Sequence, residues 1–262
     1  MNIQKVFIII GLLTTFPSFL YSRNNDSIPG QFSDSVSLDR KYCDKTVKIL
    51  GVAVPAVMIT YGIASLENGG IGELDHSIRR ELLKNNYIWN NGWDNYLQFS
   101  PAVAAFGMKL YGVKSTHKMP DMIALYTLSN VLEIGIVYTT KFAVSKKRPD
   151  GSDNHSFPSG HTAMAFVAAE FLHQEYKDQS VWISVGGYAM GTLIGISRVF
   201  NDRHWVSDVI AGAGIGILST KVVYWTYPYL QKAFGKKDRK LNAVVFPSYN
   251  GGVLGLNVSC GF

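Results

Sequence analysis

The sequence predicts an all-α fold, a bundle of six antiparallel helices followed by a short C-terminal β-hairpin. Three observations predict it. Apolar segments recur near 47–66, 95–113, 121–145, 160–176, 180–199 and 205–229, each bounded by a short polar stretch, as the helices of one body would be. Small residues are frequent within them, most densely in Ala211-Gly212-Ala213-Gly214-Ile215-Gly216, and such residues let helix backbones approach closely. After Leu241 the pattern changes to two short runs, Ala243–Phe246 and Val253–Val258, on either side of Gly251-Gly252, which read as strand, turn and strand.

Composition sets the class. Of 262 residues, 47% are hydrophobic and 17% charged, which excludes a disordered or collagen-like chain. The low charged fraction, with 14 Tyr, 14 Phe and 5 Trp, suits a membrane-embedded or membrane-apposed protein. A mean hydropathy of +0.08 argues against one wholly embedded in lipid. The net charge of +6 favours anionic partners without choosing among phospholipid, nucleic acid and phosphorylated small molecules. Cys43 and Cys260 have no metal or redox spacing and read as free thiols, with one long-range disulfide in an oxidising compartment as the alternative.

The elements follow in order. Lys5, the apolar run Val6–Leu13 and a small-residue stretch ending before Arg23 have the layout of a secretory signal over 1–22, with an uncleaved anchor helix as its alternative. Residues 23–46 read as a loose, polar lead-in, and 47–230 as the helical catalytic domain. Crossing a bilayer takes about 18 apolar residues with few charges, and only 49–66 and 179–197 meet that without Asp, Glu, Lys or Arg. Lys109, Glu133, Glu170 and Lys221 interrupt the others and must snorkel, face water or face the bundle interior. Basic residues place the 232–240 tail and the 114–118 loop on the cytoplasmic side and the loops at 146–161 and 198–208 outside. An exported amino terminus followed by six crossings would instead put the tail outside, so six full crossings and the charge rule conflict. The Gly run lies inside a helix and lacks the G-x-x-x-x-G-K-[ST] pattern, so it reads as packing and not as a phosphate loop.

Three polar clusters carry chemistry. Lys141 and Arg148 lie seven residues apart, two helical turns, so both could point the same way from one helix end, with Pro149 helping to stop the helix. Alone, such a pair is an ordinary solvated terminus. Phe157-Pro158-Ser159-Gly160-His161-Thr162 precedes the apolar stretch at 163–169 and reads as a helix start, where free N–H groups, a Ser159 hydroxyl and the small Gly160 favour an anion. His161 is placed to protonate a departing oxygen. The third cluster is Ser197-Arg198, then His204, then Asp208. His204 and Asp208 are one turn apart, so the carboxylate can fix the imidazole while its other nitrogen attacks phosphorus, and Arg198 offers a planar bidentate donor. Together these supply a nucleophile, an orienting carboxylate, an acid and three cations, the inventory of phosphoryl transfer.

Lys141-x6-Arg148-Pro149, Pro158-Ser159-Gly160-His161 and Ser197-Arg198-x5-His204-x3-Asp208 resemble the three-part signature of the type 2 phosphatidic acid phosphatase (PAP2) superfamily, across roughly 120–229. That superfamily includes membrane lipid phosphatases, nonspecific acid phosphatases and vanadium haloperoxidases. The resemblance implies that His204 forms a phosphohistidine, Asp208 supports it and His161 protonates the leaving group. It also implies that Lys141, Arg148 and Arg198 hold the phosphate with Ser159 and Gly160, and that no metal or other cofactor is needed. Only eight residues separate Pro149 from Pro158, fewer than the soluble acid-phosphatase branch leads one to expect, which favours lipid substrates.

The expectation is a phosphatase of a lipid phosphate monoester, of lipid A or phosphatidate type, in the bacterial inner membrane with its site facing the periplasm. Its partners are then a phosphorylated lipid and the membrane, with no nucleic acid. A soluble or peripheral periplasmic acid phosphatase, an undecaprenyl diphosphate phosphatase, a haloperoxidase-like enzyme and a nonenzymatic lipid-binding protein are the alternatives. Lys146, Lys147, His155, Asn201, Asp202 and Arg203 border the clusters and read mostly as solvated loop residues, and Trp205 as packing.

Overall fold

The computed structural model describes residues 33–66, 72–89, 92–233, 242–250 and 253–261, with side chains over 49–66, 72–89 and 92–233. The expected signal segment and the Gly251-Gly252 turn lie outside the described residues. The helices are α1 (Ser33–Ala64), α2 (Glu73–Lys84), α3 (Asp94–Leu97), α4 (Ser100–Leu110), α5 (Met119–Val144), α6 (Gly160–Tyr176), α7 (Val181–Phe200) and α8 (Val206–Ala233). Strands β1 (Asn242–Asn250) and β2 (Val253–Gly261) pair antiparallel, with Asn242 opposite Gly261 and Asn250 opposite Val253. The chain divides into two compact units, Met1–Val223 and Tyr224–Phe262.

Eight helices stand among the described residues where six were expected. Helix α1 begins at Ser33, inside the stretch read as a loose lead-in. The apolar segment at 95–113 is two helices, because the chain breaks at Gln98 and Phe99 and restarts with Pro101 in the first turn of α4, where a missing N–H costs nothing. Helix α2 is charged on its surface, but Ile78 and Leu82 bury one face at helical spacing, with Asp75 on the same side.

Helix α6 is the centre of the first unit. Residues 165–173 are all buried, and the helix packs against α4, α5 and α7. Helix α8 approaches it closely. A Cβ on Gly212 would lie 2.5 Å from the Ser159 carbonyl oxygen, and one on Gly216 would lie 2.2 Å from that of Ala163, so only glycine permits this spacing. That contact fixes the start of α6 against the first turns of α8, the two places beside which the sequence puts His161 and His204.

Helices α5, α7 and α8 are each long and apolar enough to cross a membrane, and 49–64 is a shorter apolar helical stretch. The best window of α8 is 83% buried and that of α5 only 28%, so α8 is the inner helix and α5 presents Val131, Tyr138 and Phe142 outward. The charges that interrupt the apolar runs have partners or bury inward. Lys221 Nζ on α8 donates to Glu170 Oε1 on α6 at 2.7 Å, and Lys109 Nζ on α4 donates to Ser115 Oγ at 2.6 Å and to the His117 carbonyl at 3.0 Å. Glu133 is buried within the body.

Candidate active site

The catalytic end is built where α5, α6, α7 and α8 begin or end. Helix α5 stops at Val144 because Ser145 turns left-handed, at φ 50°, with its N–H on the Lys141 carbonyl at 3.1 Å. Lys141 is therefore on the last turn while Arg148 lies beyond the helix in a loop, so the two do not project from one helix as expected. Their meeting is arranged by the loop. Lys141 Nζ donates to the His155 carbonyl at 2.7 Å, and Arg148 Nε donates to Asp153 Oδ1 at 2.7 Å.

Ser159 is the N-cap of α6, and its N–H donates to the Asp208 carbonyl at 3.0 Å. Its hydroxyl pairs with Thr162 Oγ1 at 2.9 Å and makes no cap bond, leaving the first-turn N–H groups to face an anion. The nearest neighbour of a Cβ on Gly160 would be Val137 at 3.6 Å, an ordinary contact, so the fold itself does not require glycine there.

His204 precedes α8 and Asp208 lies in its first turn. The carboxylate reaches back to the Trp205 N–H at 3.0 Å, a capping arrangement that satisfies one orphan donor and suits the dipole. Its Oδ2 also accepts from the Ser156 hydroxyl and stands 3.7 Å from His204 Nδ1, an ion-pair separation longer than a hydrogen bond. His204 is 3% exposed, and burial pushes it down to about 4, with Asp208 opposing and Lys141 and Arg198 adding to the fall.

His161 is half-buried, with Nε2 2.7 Å from Asn95 Oδ1. Burial pushes it, too, down to about 4, and Arg198, Arg148 and Lys141 repel its proton while Asp94 attracts it. The three cations predicted as phosphate ligands thus share one electrostatic neighbourhood with this imidazole, and two of them with His204. Arg198 is 8% exposed and donates through NH1 to Asp94 Oδ2 at 2.7 Å. Arg198 Nε and Asp94 Oδ1 have no partner among the described residues, nor does His204 Nδ1.

Three residues that sequence reasoning missed support this site, all from the stretch at 75–95. Asp94 holds Arg198, Asn95 holds His161, and Asp75 reaches Ser207 and Lys146. Burial raises the affinity of Asp75 for a proton, while the Lys146 charge and the Ser207 bonds lower it. Lys146, expected in solvent, bonds Asp208 Oδ1 at 2.9 Å, Ser207 Oγ at 2.9 Å and Asp75 Oδ2 at 3.3 Å. Asp202 is clamped bidentately by Arg79 at 2.9 Å and Asn201 bonds Asp94 at 3.3 Å, so neither is a free loop residue. Trp205 packs edge-on against His76 at 4.8 Å, as its packing role implied.

Comparison with known proteins finds relatives over the same stretch of chain. The PAP2 superfamily model matches residues 122–232, which contain all eight predicted site residues. A lipid A 1-phosphatase of Porphyromonas gingivalis is 42% identical over 153 residues, covering 58% of this chain and 34% of its own length. A non-specific acid phosphatase of Salmonella typhi is 31% identical over 44% of this chain and 51% of its own length. The chain thus spans about a third and about half of these two relatives. The crystal structure of a transmembrane PAP2 type phosphatidylglycerolphosphate phosphatase from Bacillus subtilis is 18% identical, with a TM-score of 0.46, over 71% of this chain and 98% of that one. The segment at 122–232 is a PAP2 superfamily domain.

Proposed function

We propose that this protein is a membrane phosphatase that hydrolyses a lipid phosphate monoester without a metal, through a phosphohistidine on His204. The observation that carries the proposal is the burial of His204 beside a carboxylate, in the field of Lys141 and Arg198, on the backbone that also fixes the start of α6. With Nδ1 turned to Asp208, Nε2 is the nitrogen left to attack phosphorus. As the N–P bond forms, the P–O bond to the lipid breaks, and His161 gives its proton to the departing oxygen. Water then attacks the phosphohistidine, returning a proton to His161 and freeing inorganic phosphate and His204. Lys141, Arg148, Arg198 and the first-turn N–H groups of α6 hold the phosphoryl oxygens, whose charge grows in the transition state.

The low proton affinity of His161 fits this sequence of events. With no anion present, burial and then the surrounding cations keep the imidazole neutral. A phosphate dianion offsets those cations and raises its proton affinity, so the acid is armed on substrate binding. Lipid A is the substrate class we favour, because the Porphyromonas relative is a lipid A 1-phosphatase and an outward site suits an envelope glycolipid. The apolar helices α5, α7 and α8 support a membrane location, and the reading sets the phosphate-binding end toward the periplasm. The test is phosphate release from a panel of lipid A, phosphatidate, phosphatidylglycerol phosphate and undecaprenyl diphosphate in detergent. Release from lipid A, abolished by His204→Ala, supports the assignment; equal rates for parent and variant overturn it.

A further inference from the structure

We infer that Asp75 and Lys146 are positioning residues for His204, acting through Asp208 as a buried relay of alternating charge. The inference rests on the reading of His204 as the nucleophile.

The relay is continuous. Asp75 accepts the Ser207 N–H at 3.0 Å through Oδ1 and the Ser207 hydroxyl through Oδ2, so it caps the second residue of α8. Lys146 Nζ lies between the two carboxylates, 2.9 Å from Asp208 Oδ1 and 3.3 Å from Asp75 Oδ2. Asp75 is 4% exposed and Asp208 is fully buried. Neither carboxylate is held by solvent, and the single ammonium between them is their shared counter-charge. The other oxygen of Asp208 faces Ser156, the Trp205 N–H and His204.

That division assigns each member a task. Asp208 must keep enough negative charge on its imidazole side to stabilise the cation that develops on His204 as its Nε2 bonds phosphorus. An ammonium devoted wholly to Asp208 would cancel that charge, whereas one shared with Asp75 cancels less of it. Lys146 in turn keeps two buried carboxylates ionised side by side; without it their mutual repulsion would force a proton onto one of them. Asp75 comes from α2, which precedes the matched domain, so the nucleophile depends on a residue outside the segment that carries the signature.

The test is a double-mutant cycle with Asp75→Asn and Lys146→Met, reading kcat and KM on the preferred lipid for folded protein in detergent. Asp75→Asn in the parent lowers kcat about tenfold, with KM within about twofold because Asp75 does not touch substrate. In the Lys146→Met background the same change raises kcat, because it removes the repulsion that Lys146 had balanced. Opposite signs in the two backgrounds support the relay. Losses that multiply, or a rise in KM that accounts for the effect, overturn it. Should Lys146→Met not fold, Lys146→Arg keeps the cation, and Asp75→Asn must then lower kcat in that background as it does in the parent; no loss there overturns the relay. His204→Ala runs in the same assay as a control: turnover that persists in it refutes the nucleophile, whereas a dead control with multiplicative losses refutes the relay alone.

Discussion

Two buried charge clusters, one at the candidate site and one at the α6–α8 contact, each pair a carboxylate with a cation and are finished differently. Glu170 has both oxygens occupied: Oε1 accepts from Lys221 at 2.7 Å and from Gln174 at 2.6 Å, and Oε2 accepts from the Tyr188 hydroxyl. At the catalytic end, His204 Nδ1, Arg198 Nε and Asp94 Oδ1 are buried without partners among the described residues. An unsatisfied buried donor is costly, and Arg198 Nε is one that a phosphoryl oxygen would complete, while His204 Nδ1 looks toward Asp208. The first cluster is a lock between helices, and the second is a socket. Substitutions in the socket should remove activity and spare stability, and substitutions in the lock should do the reverse.

The largest effect belongs to the socket. His204→Ala should lower turnover by at least about 10³-fold, with a melting temperature close to that of the parent, because the proposed nucleophile is then lost. Steady-state kinetics beside thermal unfolding checks both halves. His161→Ala should cost about 10²–10⁴-fold on a lipid and much less on a p-nitrophenyl ester, whose leaving group departs without a proton. An equal loss on both substrates would assign His161 a different role.

Lys221→Met tests the lock. Removing one partner of a buried pair leaves Glu170 uncompensated and should destabilise the fold by about 3–5 kcal/mol, with activity per folded molecule unchanged. Arg198→Lys should raise KM about tenfold, since a point ammonium replaces a planar donor that Asp94 holds in place. The socket also bears on the pH dependence of stability. His204 takes up its proton near 4 in the fold and near 6.5 when unfolded, so unfolding binds a proton between those values. Stability should fall as pH drops from 6.5 to 4, with a slope approaching about 1.4 kcal/mol per pH unit for this group, and His204→Ala should flatten the curve.

The sequence made the inner half of the site legible and hid the outer half. His161, His204, Asp208, Lys141 and Arg198 stand at or beside helix ends and Arg148 in the loop after α5, all within one stretch of chain where fixed spacings reveal them. Asp75, Asp94 and Asn95 meet their partners across 132, 104 and 66 positions, and no local pattern marks such pairs. Helix α2 was hidden for a related reason: it is rich in charge and reads as a polar connection, whereas α3 falls at the start of the 95–113 segment read as one helix. Ile78 and Leu82, four apart, were the signal that would have found α2. The reach of Lys141 and Arg148 was misread because a left-handed Ser145 ends α5 well before Pro149, and serine carries no strong preference for that conformation. The Gly212 and Gly216 contacts, by contrast, follow the small-residue run as read.

The covalent step is the centre of the account. Rapid quenching of the active protein with lipid carrying a radiolabelled phosphate, followed by peptide mass spectrometry, should find an acid-labile, base-stable phosphoryl group on His204. Label on another residue, or turnover of that lipid at the full rate by His204→Ala, would contradict it.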